Sequence, residues 1–132
     1  MLLSFSVFKD KIESGDKKNT IREYNEKRYG MFQRAKAYQL YWHNPRNGGK
    51  LIKERPPSGD PIIVFFDRSD GHIFLWGRNV IEQEKLYNYC CDVNTLAQWE
   101  GFKDFKEMCE WFYKHYGESL FGKLFMVLRW LP

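Results

Sequence analysis

The residues best suited to chemistry lie in one short stretch, residues 15–22, with the sequence Gly-Asp-Lys-Lys-Asn-Thr-Ile-Arg. If its end is extended, side chains alternate between the two faces of the strand, so Thr20 and Arg22 share one face while Ile21 points into a core. Gly15 suits the end of a helix, because glycine adopts the left-handed conformation there at little cost. We therefore expect a compact, positively charged surface beside a helix end, suited to an anion or a polarised carbonyl, with Lys17, Lys18 and Arg22 as the cluster that binds an anion or a base.

The Thr20 hydroxyl is either a strand residue that closes a local hydrogen bond or a nucleophile. A threonine hydroxyl is a weak nucleophile at neutral pH and needs a neighbouring base. Lys17 is the nearest candidate base, and it must lose its proton to act. Burial and the positive charges of Lys18 and Arg22 would lower the pKa of Lys17. The alternative is an ordinary loop with solvated charges, which a short motif alone does not exclude.

The spacing Gly-x-Lys-x-x-Thr-x-Arg of residues 15–22 resembles the ASCH domain family of the PUA-like superfamily. Further similar motifs are Leu-Ser-Phe-Ser at 3–6, Ile-Phe-Leu-Trp-Gly-Arg at 73–78, Glu-Gly-Phe at 100–102 and Gly-Lys-Leu at 122–124. The resemblance covers most of the chain and is strongest to small phage and bacterial single-domain members. Residues 44–60 have no clear counterpart in the family.

This resemblance implies a small PUA-like β-barrel that binds nucleic acid. It also implies roles for the residues at three matching positions. Small bacterial relatives are amidohydrolases of N4-acetylcytidine, and another relative is a ribonuclease. The implied roles are Lys17 as base, Thr20 as nucleophile and Glu100 as acid. Arg22 or backbone N–H groups of the loop would stabilise the oxyanion. The plain alternative for Glu100 is a surface carboxylate paired with a lysine.

Two features favour binding of RNA or a modified nucleotide ahead of hydrolysis. Lys18 and Asn19 differ from the residues of the amidohydrolases, and a long basic segment at 44–60 suits a polymer better than a free nucleoside. A third hypothesis is an adaptor domain in which the cleft has no ligand. Salt-dependent binding of RNA distinguishes the first from the third, and turnover of an acetylated nucleoside distinguishes the enzyme from both.

A second group of candidate ligand contacts lies around position 42. Tyr41, His43 and Arg46 surround Trp42 and form an aromatic and basic edge. Aromatic faces beside arginines suit single-stranded or flipped bases. The alternative assigns Trp42 to the core and leaves the other three side chains exposed.

The basic charge is concentrated in the first part of the chain. Residues 1–59 have a net charge of +7 and residues 60–132 a net charge of −3, within an overall +4. A basic half suggests an anionic partner, nucleic acid first, although a solvated lysine-rich surface gives the same count. Residues 44–60 contain Asn-Gly-Gly and Pro-Pro-Ser-Gly breakers, which predict an exposed basic loop with at most a short strand at Leu51 and Ile52.

The 132 residues predict a single domain of the α+β class, a small curved or barrelled sheet with flanking helices. Predicted strands cover residues 2–5, 20–22, 36–42, 61–66, 73–76, 80–83 and 123–130, with a hairpin turn at 69–71. Three helices are predicted, with Ser6, Thr95 and Asp104 as their N-cap residues. Residues 23–30 are polar and predict a loop.

Several protein classes are disfavoured by composition. No apolar run approaches the roughly 20 residues that span a bilayer, and no signal peptide is recognisable, so a cytoplasmic location is expected. Three cysteines, two of them adjacent, do not suggest a disulfide framework. Three histidines are scattered without ligand spacing, so we expect neither a metal site nor a cofactor. The expected partner is RNA, a nucleoside or a nucleotide.

Overall fold

The computed structural model describes residues 1–78, 83–85 and 92–132. Among these residues it contains eight strands and four α-helices, which confirms the α+β class. In chain order they are β1 Leu2–Phe5, α1 Lys9–Ser14, β2 Asn19–Glu23, α2 Glu26–Arg34, β3 Tyr38–Trp42, β4 Lys50–Arg55, β5 Ile62–Ser69, β6 His72–Arg78, β7 Gln83–Lys85, α3 Val93–Glu100, α4 Phe105–Tyr116 and β8 Phe125–Arg129. Short 3₁₀ turns cover Pro45–Asn47 and Gly117–Gly122.

The strands form two sheets. The smaller sheet has the order β1-β3-β4, with β1 parallel to β3 and β4 antiparallel to it. The larger sheet has the order β2-β8-β5-β6-β7 and is antiparallel throughout. Neither sheet closes on itself within the described residues, so the architecture seen here is a pair of open sheets with four helices.

Strand β8 is the wall between two hydrophobic cores. Its side chains alternate, so Phe125 and Val127 face the core beneath α3 and α4, whereas Met126 and Leu128 face the core of the smaller sheet. All four are buried. Because both faces of β8 are covered, the strand has the continuous apolar sequence typical of a fully buried strand. Strand β2 pairs with β8 and therefore lies where the two cores meet.

Local signals around β2 and the β5–β6 hairpin are confirmed. Helix α1 ends at Gly15, which has a φ of 88°. Ile21 is buried in the larger core. The tight turn between β5 and β6 is made by Asp70 and Gly71, with φ values of 51° and 77°. Two consecutive positive φ values match the type of turn that joins twisted antiparallel strands.

A helix occupies the region where the sequence predicts a loop. Residues 23–30 were expected to be irregular, but α2 begins at Glu26. The Asn25 side chain caps it by accepting a hydrogen bond from the backbone N–H of Arg28, at 2.9 Å. Phe32 is the one buried residue of α2. With so narrow an apolar face, the helix gives no clear 3.6-residue period in the sequence.

Two of the predicted helix caps are wrong. Ser6 does not cap α1, because the N-cap is Phe8, which has a φ of 64° and no capping side-chain bond. Thr95 does not cap α3, because the Asp92 side chain accepts from the Thr95 N–H. The predicted cap Asp104 is confirmed at the start of α4.

Residues 44–60 are more ordered than the predicted basic loop. Strand β4 takes up six of these residues and pairs with β3, and Pro57 forms a bridge to Trp130. The short strand predicted at Leu51 and Ile52 is therefore longer than expected. The predicted strand at 80–83 and the adjacent cysteines Cys90 and Cys91 lie largely or wholly outside the described residues. No helix in the described parts of the chain is long and apolar enough to cross a bilayer.

Candidate functional site

The connection between α1 and β2 is held by backbone hydrogen bonds on both sides. The Lys17 N–H donates to the Lys11 carbonyl at 2.9 Å. The Lys18 N–H donates to the Trp99 carbonyl at 2.7 Å, and the Lys18 carbonyl accepts from Trp130 N–H at 3.1 Å. These bonds tie the connection to α1, α3 and the end of β8. As a result, adjacent lysines have different surroundings: Lys17 is buried and Lys18 is not.

Lys17 is a buried cation with a carboxylate beside it. Its side chain is 2% exposed, and Nζ lies 3.4 Å from Glu100 Oε1 and donates to the Glu100 backbone carbonyl. The rings of Phe5 and Phe8 lie 5.6 and 5.5 Å from Nζ. Burial lowers the pKa of Lys17 from 10.5 to about 8, and the charge of Glu100 opposes that shift. A neutral amine is therefore accessible close to neutral pH.

Glu100 ends α3 and is surrounded by donors. Its Oε2 accepts from Asn19 Nδ2 at 2.7 Å, and its Oε1 accepts from the Ile21 N–H at 3.1 Å. With Lys17, three donor groups therefore surround this one carboxylate. Asn19 is fully buried, and its Oδ1 has no hydrogen-bond partner among the described residues.

The Glu-Gly-Phe motif at 100–102 supplies the Glu100 carboxylate and also packs against Phe8. Gly101 has a φ of 120°, and a Cβ at this position would lie 2.8 Å from the Phe8 ring. Phe102 contacts the same ring edge to face, with centroids 5.2 Å apart. Glycine therefore lets Phe8 close the apolar side of the Lys17 environment. Lys11 Nζ donates to the Gly101 carbonyl and joins α1 to this corner.

Thr20 and Arg22 share one face of β2, as the alternation predicts. Arg22 Nε donates to Thr20 Oγ1 at 3.0 Å, and Nη2 donates to the Ser4 carbonyl of β1 at 2.7 Å. The guanidinium also lies 4.9 Å from the Phe5 ring centre. Burial is the main cause that lowers the pKa of Arg22. Thr20 Oγ1 thus bonds to Arg22 rather than to the proposed base, Lys17.

A cleft of about 700 Å³ brings four of the predicted residues together. Its lining includes Lys17, Thr20, Arg22 and Glu100. This volume falls in the range of small-molecule sites. The sequence reasoning missed several other lining residues, among them Phe8, Arg28, Asn44, Trp111, His115 and Tyr116. Arg28 was missed because α2 was not predicted, and Asn44, Trp111, His115 and Tyr116 are distant in sequence from residues 15–22.

Four predicted ligand contacts lie outside this cleft. Lys18 Nζ is 5.4 Å from the Trp99 ring centre, and Lys18 is not part of the cleft lining. Tyr41, His43 and Arg46 are not part of the cleft lining. The His43 ring contacts Trp42, with centroids 4.4 Å apart, and these residues form a separate partly exposed edge.

Neither the comparisons with known proteins nor the metal-ligating residues identify a ligand for the cleft. Comparisons of the chain with protein-family models, curated proteins and solved structures find no match. Among the described residues, no group of three His, Cys, Asp or Glu side chains is arranged to hold a metal ion. The chemistry available to the cleft is therefore that of its own amine, hydroxyl, guanidinium and carboxylate groups.

Proposed function

We propose that this protein is an ASCH-type domain that binds RNA or a modified nucleotide, with one base inside the cleft. The observation that supports it best is the convergence of Lys17, Thr20, Arg22 and Glu100 on one cleft of about 700 Å³. Pockets of this size with a few polar groups on an apolar wall suit small organic ligands. In this proposal the two open sheets correspond to an open form of the PUA-like barrel.

Aromatic groups in the cleft support a base as the occupant. Trp111 and His115 stack on each other with centroids 3.8 Å apart, and both line the cleft. Phe8 and Phe102 extend the apolar wall. Proteins that read unpaired bases combine such rings with hydrogen-bonding groups for the base edge. The charged groups of Lys17, Arg22 and Glu100 in the cleft lining can supply those contacts.

The surface beside the cleft supports a nucleic-acid chain. Arg46 and Lys50 are exposed around the β3–β4 hairpin, close in sequence to Asn44 of the cleft rim. Phosphate contacts by such side chains release counterions, so RNA affinity should fall steeply as salt rises. Charge reversal at Arg46 and Lys50 should weaken binding to different RNA sequences equally.

The test compares neighbouring lysines. Binding of cytidine, N4-acetylcytidine and a short single-stranded RNA is measured by calorimetry for wild type, Lys17→Met and Lys18→Met. Lys17→Met should weaken binding about tenfold or more, because it removes a charged donor from the cleft wall. Lys18→Met should leave nucleoside binding unchanged. Thr20→Val provides a second cleft variant that keeps the charges. Equal effects of both lysine variants, or no binding by wild type, would refute the proposal.

Amide hydrolysis is the second candidate, favoured by the lowered pKa of Lys17, about 8. A neutral Lys17 amine can accept the Thr20 proton while Thr20 Oγ1 attacks an acyl carbonyl on a cytosine amine. Arg22 or backbone N–H groups can stabilise the oxyanion. Water then releases the acyl group from Thr20, so N4-acetylcytidine and water give cytidine and acetate.

One hydrogen bond must break and one proton must move before this reaction starts. Thr20 Oγ1 must leave Arg22 Nε and turn toward Lys17, because it now accepts from the guanidinium. Glu100 accepts from three donors, so it must first receive a proton, for which Lys17 is the adjacent source, before it can protonate the leaving amine.

Cytidine release from N4-acetylcytidine is followed for wild type, Lys17→Ala, Thr20→Ala and Glu100→Gln. A wild-type rate that disappears in all three variants supports hydrolysis. The absence of wild-type turnover on both nucleoside and acetylated RNA would leave the three residues as ligand contacts and reject the catalytic role.

A further inference from the structure

The charged groups of the cleft do not balance one another. Among the described residues, three lysine or arginine side chains and two carboxylates line it. These are Lys17, Arg22, Arg28, Glu23 and Glu100. An excess of fixed positive charge in a concave site attracts anions.

Both carboxylates are already engaged by other groups. Glu100 lies beside Lys17 and accepts from Asn19 and from a backbone N–H of β2. Glu23 pairs with Lys123, whose Nζ is 3.0 Å from Oε1. Neither carboxylate forms a salt bridge with an arginine of the cleft. The two guanidiniums therefore account for the unbalanced charge.

Arg22 has neutral hydrogen-bond partners within the described structure. Its donors reach the Thr20 hydroxyl and the Ser4 carbonyl, and the Phe5 ring covers one side. The charge of Glu100 acts on Arg22 from a distance but is directly engaged by Lys17. A largely buried cation without a bonded counter-ion is costly, because the interior solvates charge poorly.

Arg28 adds a second cation at the same cleft. It lies in the first turn of α2, is exposed and lines the cleft. Its charge acts on Arg22, contributing to the lowered pKa of that guanidinium after burial. No hydrogen bond or ion pair of the Arg28 side chain is formed in the part of the chain that the structure describes. The Asn25 cap bonds to its backbone N–H and fixes the point from which the side chain extends.

We propose that Arg22 and Arg28 bind a phosphate group, so the ligand is a phosphorylated nucleoside or an RNA chain rather than a free nucleoside. This inference rests on the proposed binding function of the cleft and specifies its ligand. Guanidinium groups suit phosphate because their paired N–H donors match its oxygens. A phosphate between the two arginines would also remove their mutual repulsion.

The experiment compares ligands that differ by one phosphate. Calorimetry gives affinities for cytidine, cytidine 5′-monophosphate, cytidine 3′-monophosphate and a cytidine dinucleotide, which carries an internal phosphodiester. The protein variants are wild type, Arg28→Gln and Lys27→Gln. Lys27 is the matched control, because it is exposed on the same helix turn and does not line the cleft.

Wild type should bind at least one phosphorylated ligand about tenfold more tightly than cytidine. Arg28→Gln should remove most of that preference, whereas Lys27→Gln should keep it. A preference for the monophosphates indicates a terminal phosphate, and a preference for the dinucleotide indicates an internal one.

Equal affinity for cytidine and all phosphorylated ligands would overturn the phosphate site and leave nucleoside binding intact. A phosphate preference that survives Arg28→Gln, or that Lys27→Gln reduces equally, would also overturn it. Failure of every ligand to bind wild type would overturn both the phosphate site and the proposed function.

Discussion

Two of the carboxylate–cation pairs among the described residues have opposite surroundings. Arg68 and Glu118 form two parallel hydrogen bonds on the surface, with Nη1 3.1 Å from Oε1, and both side chains are more than half exposed. Tyr113 also donates to Glu118, at 2.6 Å. Lys17 and Glu100 are separated by 3.4 Å, yet their side chains are 2% and 8% exposed. The pair with the better geometry is the one in water.

This difference indicates that neither pair contributes much stability, and that the buried pair is the candidate for a function. An exposed pair contributes little, since water and salt screen it and ordering both side chains costs entropy. A buried pair costs desolvation that its attraction seldom fully offsets. The fold nevertheless surrounds Glu100 with Asn19 and a backbone N–H and places the pair at a cleft wall. Perturbed ionisable groups in clefts are candidates for function, which is the interpretation we favour here.

The largest effect should come from breaking the buried pair. Glu100→Ala leaves Lys17, Asn19 and the Ile21 N–H without their shared acceptor, so we expect a loss of about 3–5 kcal/mol in the free energy of unfolding near pH 7. Urea denaturation measures it. Glu100→Gln keeps the volume and one acceptor and should cost less. A loss from Glu100→Ala no larger than that from Glu118→Ala would contradict the comparison.

An effect of intermediate size should appear in how the free energy of unfolding depends on pH. The pKa of Lys17 is about 8 in the folded protein against 10.5 ordinarily, so the unfolded chain binds more protons between these values. Stability should therefore rise with pH in that interval, with a contribution from Lys17 of about 2 kcal/mol between about pH 7.5 and about pH 9.5. Burial raises the pKa of Tyr38 to about 12, which lowers stability as the pH rises above about 10.

Denaturation of wild type and Lys17→Met at both pH values isolates this contribution. The stability difference between the two proteins should shift toward wild type as the pH rises. A difference that does not change with pH would mean that Lys17 keeps its ordinary pKa. Lys18→Met serves as the control for loss of a lysine at the neighbouring, less buried position.

The smallest effect should come from the exposed pair. Glu118→Gln keeps the size of the side chain and removes its charge, and we expect the urea midpoint to stay close to that of wild type. Any change should shrink further in high salt, because exposed charges are screened. A midpoint shift as large as that of Glu100→Gln would show that burial does not separate the two pairs.

The sequence predicted the part of the site that depends on local rules. Gly15 ends α1, and alternation along β2 places Ile21 in the core and joins Thr20 to Arg22. Strand alternation does not predict that Lys17 is buried and Lys18 is not, because the contacts that decide it come from Trp99 and from the end of β8.

The remainder of the site depends on contacts between distant positions. The hydrogen bond from Asn19 to Glu100 joins residues 81 positions apart, and no local pattern encodes it. The motif at 100–102 suggested a shared cleft through family resemblance alone. Helix α2 was missed because it buries only Phe32, so the local signals of its start were limited to the cap at Asn25 and the acidic Glu26 in its first turn. Arg28 could not be considered without that helix.

Glu100 also occupies the place of a neighbouring strand. Strand β2 is the last strand of its sheet, and the Ile21 N–H donates to the carboxylate instead of to another backbone. Unpaired N–H groups at a sheet edge are templates for association with other chains. The same side chain that contributes charge to the cleft therefore protects this edge. We expect Glu100 variants to self-associate, which light scattering measures, for a reason separate from any loss of binding or catalysis.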